Sequence, residues 1–389
     1  MNVLWLASWF PNRTDHTNGD FVERHAKAVA PFVKSLSIIA VNKDESLPVG
    51  EAFVEKKQFG NITIYLGYYG KSKWGDLFEQ IFSYKTYLAL QQKIFDEIVH
   101  ENARPDIAHV HVAMKAGLFA REIKNKYGIP YIITEHWSGY FKESKPNIFD
   151  MGLLYQRMNS LVLKKASLLL PVTKELGQTI ANNFNKISYT VVPNVVDASL
   201  FFFKPYQPGV FTFIHPSYMN YPKNPEGILK GCLLLREKGY RFRLYMIGKK
   251  PPELIALAKQ YQLLNDYVIF EDEIAYKEVA ERMQQSSALL MFSRYENLPC
   301  IMLEALCCGM PVVSSRVGGI AGVINDSNGI LVDKDDVNEL ASAMQQVIDQ
   351  YEKYNKELIS KNAIANFSYH SVGKQIADIY KVVTQNEKS

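Results

Sequence analysis

Short apolar runs rich in β-branched residues alternate along this chain with stretches whose apolar residues recur at helical spacing. That alternation confines it to α/β architectures. In the first half the runs are "NVLWLA", "SLSIIAV", "NITIYLGY", "DIAHVHV", "YIITEH", "SLLLPV" and "YTVVPN", with helical spacing over 19–32, 78–100 and 114–127. Runs of this length read as strands, and strands separated by helices pair in parallel through crossovers. The second half restarts the pattern with "VFTFIHP", "FRLYMIG", "YVIFED", "ALLMFS", "PVVSS" and "GILV". Two doubly wound domains are therefore expected.

The break falls near 193–207, where "PNVVDASLFFFKPYQPG" sets prolines and a glycine around an aromatic run. We expect a first domain over 1–200, a second over 201–369, and a last helix, about 370–385, crossing back over the hinge. At 389 residues and 47% hydrophobic, the chain can bury a core in each. Two such sheets are expected to face one another across a cleft, with ligands at the carboxyl ends of the strands.

No apolar run reaches the ~20 residues that a membrane span requires. The start "MNVLWLASWFP" reads as a buried strand rather than a secretory signal, so a cytoplasmic protein is expected. Cys232, Cys300, Cys307 and Cys308 lack the paired spacing of a zinc site and read as reduced apolar residues. The formal charge of +4 is modest, and no nucleic-acid partner is expected. Residues 1–200 hold 23 Lys and Arg against 19 Asp and Glu, whereas the remainder is balanced at 21 each. The excess suggests a solvated basic face, or an anionic partner such as a phosphorylated lipid or membrane surface.

One stretch carries chemistry: "SRYENLPCIMLEALCCGMPVVSSRVGGI", residues 293–320. After the strand "ALLMFS", Pro299 suits the first turn of a helix that ends before Gly309. Glu296 then lies in the loop before the helix and Glu304 inside it, one carboxylate on each side of its N-terminus. The amides of Cys300, Ile301 and Met302 would bind an anion there, phosphates above all. A nucleotide sugar suits this layout, with diphosphate on the helix end, ribose on Glu304 and the transferred sugar on Glu296.

Here the sequence resembles the retaining glycosyltransferases of family 4 with the GT-B fold. Their signature is a Glu-x7-Glu motif in this strand, loop and helix, followed by GxPVV and a Gly-Gly loop. "ENLPCIMLEALCCGMPVVSSRVGG" matches it position by position, and the resemblance extends from "NGDFVERHAKAVA" to "NGILVDKDDVNELASAM". It implies donor contacts from Gly19, Ser217, Lys223, Phe270, Glu271, Glu296, Asn297, Leu298, Pro299, Cys300 and Glu304. His136 matches the active-site histidine beside the transferred sugar, so His136, Glu296 and Lys223 are the catalytic candidates.

On the acceptor side stand His111 and Trp137, with His109 read as a satisfied core residue. The acceptor is expected on the first domain near 12–20, 72–90 and 137–156; in the last two stretches lysines mix with aromatics that could stack on a sugar or sit at a lipid interface. Two departures stand out. The second diphosphate cation, ordinarily an arginine, is missing, with Ser217 or Tyr218 nearest its place and Arg294 a candidate substitute. Val195 replaces the hinge motif's glycine.

The resemblance implies transfer of a sugar from a nucleoside diphosphate donor, UDP- or GDP-sugar, to a hydroxyl of a glycan or lipid-linked acceptor. The nucleotide sugar is a substrate, no cofactor is expected, and no Asp-x-Asp calls for a metal. Peripheral contact with the inner face of the membrane through the N-terminal domain belongs to the same expectation, as does a role in cell-surface polysaccharide or glycolipid synthesis. The alternatives are a nucleotide-sugar 2-epimerase of the same fold and a non-catalytic glycan- or nucleotide-binding partner.

Overall fold

The structure is a computed structural model that describes residues 1–71, 79–184, 187–206 and 209–387. The chain divides into two units, Met1–Pro193 with Val372–Ser389, and Asn194–Ser371.

The first unit contains strands β1 (Asn2–Ala7), β2 (Ser35–Lys43), β3 (Ala52–Phe59), β4 (Ile62–Tyr69), β5 (Ile107–His111), β6 (Tyr131–Glu135) and β7 (Leu168–Pro171). They form one sheet in the order β3-β4-β2-β1-β5-β6-β7, parallel except for the antiparallel β3–β4 pair. Residues 3–7 of β1 and all of β5 and β6 are buried, as strands covered on both faces must be. Helices α1 (Asp20–Val29), α2 (Glu79–Glu101), α3 (Ala116–Tyr127), α4 (Leu153–Lys165) and α5 (Lys174–Asn183) follow the strands. Thr173 caps α5 by accepting from the Leu176 amide at 3.2 Å.

Two elements differ from the sequence reading. Strand β3 was not anticipated: it is an edge strand, mostly exposed, and its "AFVEKKQF" carries no apolar alternation. Conversely, "YTVVPN" makes only an isolated bridge from Tyr189 to Leu169, with further amide bonds from Thr190 and Val192 to the β7 backbone. Pro193 has no amide to extend the ladder.

In the second unit, β8 (Thr212–Ser217), β9 (Arg243–Gly248), β10 (Val268–Glu271), β11 (Ala288–Met291), β12 (Val312–Ser315) and β13 (Gly329–Val332) form a parallel sheet ordered β10-β9-β8-β11-β12-β13. Helices α6 (Pro225–Glu237), α7 (Pro252–Gln260), α8 (Tyr276–Gln284), α9 (Cys300–Cys307), α10 (Val337–Asp349) and α11 (Lys356–Phe367) accompany it. Its core is a continuous cluster that includes Phe213, Ile228, Phe242, Met246, Leu290, Phe292 and Met344. Val195 is buried and is not among the described residues with positive φ, so an ordinary backbone conformation serves where the hinge motif has glycine.

The last helix, α12 (Tyr369–Asn386), returns the chain to the first unit. Its Tyr380 accepts a hydrogen bond from Trp5 Nε1 on β1 at 2.9 Å, and its hydroxyl lies 2.7 Å from His109 Nδ1 on β5. Among the described residues, no helix is long and apolar enough to cross a membrane.

Candidate active site

In the second unit the site grows from the loops after β8 and β11, neighbouring strands at the middle of the sheet. Strand β8 ends at Ser217, and the chain passes through a short 3-10 turn, Tyr221–Lys223, into α6. Asn224 caps α6 with its Oδ1 on the Gly227 amide at 3.2 Å, and Pro225 opens it. The turn fixes Lys223 at the mouth of the sheet. Its ammonium donates to Glu296 Oε1, and the Ser293 hydroxyl donates to the same oxygen at 2.8 Å. Lys223 and Glu296 side chains are 23% and 10% exposed, so the pair is largely withdrawn from solvent yet reachable from it.

The loop carrying Glu296 is clamped by backbone. Gly318 has φ +51, and a Cβ there would fall 2.0 Å from the Glu296 carbonyl oxygen. The Gly319 amide donates to Asn297 O at 2.9 Å, and Asn194 Nδ2 donates to Leu298 O at 2.7 Å. The Gly-Gly pair is thus explained as the surface on which this loop rests.

Helix α9 begins at Cys300, one residue later than the sequence reading set it, with Pro299 extended at φ −68° and ψ 123°. The Met302 amide donates to Pro299 O at 3.2 Å, which removes it from the set expected to face an anion. Glu304 is 2% exposed and accepts from the Tyr276 hydroxyl at 2.7 Å. The two carboxylates therefore engage different loops, Glu296 the one after β8 and Glu304 the one after β10. Phe270 and Glu271 end β10, an edge strand of the sheet that pairs with β9 and bridges to Leu264 through Val268. Phe270 packs on the core, while Glu271 Oε1 accepts from Arg282 at 2.8 Å.

Ser217 and Arg294, the residues near the missing arginine's place, both make bonds within the second unit. Ser217 Oγ lies 2.9 Å from His215 Nε2 and accepts from the Met219 amide at 3.1 Å. His215 Nδ1 donates to Leu290 O at 2.7 Å, so Nε2 must accept the Ser217 proton. The serine hydroxyl thereby shapes its own turn. Burial lowers the His215 pKa to about 4, which keeps the ring neutral. Arg294 is likewise committed: Nε donates to Asp335 at 3.0 Å, Nη1 to Tyr221 O at 2.7 Å, and its guanidinium lies 4.3 Å from the Tyr221 ring centroid. It thereby braces the Lys223 turn.

In the first unit, Gly19 caps α1 with φ +69, and a Cβ there would meet the Trp9 backbone at 2.6 Å. His136 directly follows β6 and is buried, with its ring 4.5 Å from Phe21 and 5.3 Å from His25. Glu135, fully buried, organises this corner. Its Oε1 accepts from the His136 and Trp137 amides at 3.0 and 2.9 Å, and its Oε2 from the Ala113 amide at 3.0 Å and the Tyr140 hydroxyl at 3.3 Å. Burial pushes its pKa up to about 7 against the pull of those donors.

His109 is a satisfied core residue between Tyr380 and Thr134. His111 is 0% exposed and lies 4.0 Å from Trp5 and 4.2 Å from His109 by ring centroid. Desolvation holds its pKa well below the usual histidine value. Trp137 does line a cavity, with Trp9, Lys115 and Glu135. Lys115 and Glu135 were missed from sequence, since no motif marks them. Of the stretch near 72–90, residues 72–78 lie outside the described residues. The cysteines are all free, and burial pushes Cys307 up to about 12.

Comparison with solved structures gives the architecture. Sucrose-phosphate synthase from Thermosynechococcus elongatus superposes with a TM-score of 0.78 at 15% identity, covering 99% of this chain and 100% of that one. Anabaena HepE, solved in complex with UDP, gives 0.71 at 15% identity over 98% and 100%. Two such sheets in one chain define the GT-B fold. Residues 67–200 match the family described as Glycosyltransferase Family 4, and residues 201–364 match Glycosyl transferases group 1. The putative teichuronic acid biosynthesis glycosyltransferase TuaC of Bacillus subtilis is 22% identical over 96% of this chain and 94% of its own. The chain belongs to the glycosyltransferases of the family 4 type and is an enzyme of sugar transfer.

Proposed function

We propose that the enzyme moves a sugar, with retention, from a UDP- or GDP-sugar to a hydroxyl of a glycan or lipid-linked acceptor in cell-surface polysaccharide or glycolipid synthesis. The observation that carries this reading is the Lys223–Glu296–Ser293 cluster at the head of the second sheet. Lys223 donates to Glu296. An arriving diphosphate offers Lys223 a stronger, charge-assisted partner. Glu296 is then released to accept hydroxyl hydrogen bonds from the transferred sugar.

Donor binding is in this sense an exchange of one anion for another. Tyr276 holds Glu304 for the ribose, and the exposed edge of β10 offers backbone groups to the base. No protein nucleophile is needed in a same-face reaction. The leaving diphosphate takes the acceptor proton while Lys223 balances its charge, and His136, kept in place through Glu135, hydrogen-bonds the sugar.

HepE was solved with UDP, which favours a uridine donor here. Leu153 and Leu154, each 72% exposed at the start of α4 with Arg157 one turn on, are the surface we assign to peripheral membrane contact at the inner face.

Thermal unfolding with UDP, GDP, ADP, CDP and their sugar conjugates tests the donor assignment. At about 100 times Kd the expected stabilisation is about 2.7 kcal/mol. Glu296→Ala should reduce transfer more than nucleotide affinity, and Glu304→Ala should weaken nucleotide binding itself. Equal losses in both assays for both variants would overturn these roles.

A further inference from the structure

Strands β3 and β4 form a hairpin at one end of the first unit's sheet, and β3 is its outermost strand. Phe59 pairs with Ile62 across the short loop Gly60-Asn61. In such hairpins the residues flanking the loop exchange hydrogen bonds. Phe59 and every second residue before it therefore turn their backbone groups toward β4, in agreement with the Gly70 amide on Glu51 O at 2.9 Å. Ala52, Val54, Lys56 and Gln58 turn theirs to the open edge, where no strand pairs with them among the described residues.

An open edge is ordinarily guarded by charge, lysine above all. Here both guards are already engaged. Lys56 Nζ lies 2.5 Å from Glu101 and 3.3 Å from Glu97 on α2, and Lys57 Nζ lies 2.9 Å from Glu55 on the strand's other face. That second face carries Phe53, Glu55, Lys57 and Phe59 in order. The series is complementary to its own reverse: apolar ends enclose two charges of opposite sign. Phe53 is 37% exposed and Phe59 61%. Phe53 stacks on Tyr68, its neighbour on β4, with 5.1 Å between ring centroids, and the Arg13 guanidinium lies 4.8 Å from the Phe53 centroid.

Two copies of β3 meeting antiparallel about a two-fold axis normal to the sheet must be centred on a residue, because opposed residues share a face. Centring on Glu55 sets that carboxylate against itself and Phe53 against Lys57. Centring on Lys57 sets that ammonium against itself and Phe59 against Glu55. Centring on Lys56 sets Phe53 against Phe59 and Glu55 against Lys57, in the non-hydrogen-bonded pairs whose side chains lie closest. Lys56 then meets its symmetry mate on the α2 face, where Glu97 and Glu101 balance the charge.

We propose that a second copy of this chain docks on this edge: two β3 strands pair antiparallel, centred on Lys56, and join two seven-stranded sheets into one. An edge of 8 residues is small beside the roughly 1,200–2,000 Å2 of stable complexes, so the dimer is reversible, with a roughly micromolar dissociation constant. The assignment does not depend on what the enzyme transfers.

Sedimentation equilibrium of the full chain should show the mass rising from one copy to two as concentration passes through that range. Lys57→Glu sets carboxylates opposite one another and should weaken the dimer on the order of tenfold, as should Glu55→Lys, which opposes two ammonium groups. Combining Glu55→Lys with Lys57→Glu restores opposite signs in the Lys56-centred register and should recover the wild-type dissociation constant. All four tryptophans, Trp5, Trp9, Trp74 and Trp137, belong to the first unit, so unfolding followed by tryptophan fluorescence establishes that this unit is folded in each variant. Phe53→Cys chains mixed with Phe59→Cys chains should form disulfide-linked pairs, above the wild-type background and faster than either variant with itself, since Cα atoms of a non-hydrogen-bonded pair lie about 4.5 Å apart.

A single-copy mass at every concentration overturns the proposal. A dimer indifferent to both single exchanges lies elsewhere on the molecule and overturns it too. Weakening by the single exchanges without rescue by the double one, or cysteine variants that oxidise as fast with themselves as with each other, refutes the Lys56-centred register.

Discussion

Replacing Tyr380 by Phe removes one oxygen atom from the interior of the first unit, and the cost can be worked out from directionality. The Trp5 indole can only donate, so Tyr380 Oη must accept from it at 2.9 Å. The single phenolic proton is then left for His109 Nδ1 at 2.7 Å, which places the imidazole proton on Nε2, facing Thr134 Oγ1 at 2.7 Å. Burial holds the His109 pKa well below its ordinary value, so the ring stays neutral and the directions are fixed. Trp5, His109, Thr134 and Tyr380 are all 0% exposed.

Phenylalanine would orphan one donor and one acceptor where water does not reach. Each costs about 1–3 kcal/mol, so the variant should lose about 2–6 kcal/mol. Urea unfolding followed by tryptophan fluorescence reads this unit, and an unchanged slope would show that the unfolded state is unaltered. A loss below about 1 kcal/mol would refute the reasoning, because at least one orphan must then have found another partner.

Gly318→Ala combines a positive φ with a Cβ 2.0 Å from the Glu296 carbonyl, so it should lower the melting temperature of the second unit and reduce transfer at saturating donor, measured side by side. Tyr276→Phe removes the hydroxyl on buried Glu304 and should weaken nucleotide affinity by about 1 kcal/mol in a direct titration, with little change in the turnover of bound donor. Glu135→Gln should alter the pH dependence of stability. The native carboxyl titrates near 7 and the unfolded one near 4.5, so the wild type loses stability as pH rises through that window, by about 3 kcal/mol at most. Gln cannot ionise, and its melting temperature relative to wild type should rise between those pH values; a constant difference would contradict the assignment.

Alternating strands and helices were legible because burial on both faces leaves short apolar runs, and the Glu296 to Glu304 stretch was legible because its spacing is local. Strand β3 was not, since an exposed lysine-bearing edge has no apolar period to read. The fate of Arg294 depended on Asp335, 41 residues away, and nothing near Arg294 in sequence announces that partner. Glu135 reads as the end of a strand; only the fold brings the Ala113 amide to it.

The return of α12 to the first unit has a consequence for synthesis. When the ribosome has delivered residues 1–193, the β1–β5 core still lacks Tyr380, and the Trp5 indole and His109 have no mutual partner. The second unit, continuous from Asn194 to Ser371, can complete its own core first. The first unit to be translated is thus the last to be finished, and a ribosome that stalls before α12 releases a chain whose second unit is sound and whose first is unsealed.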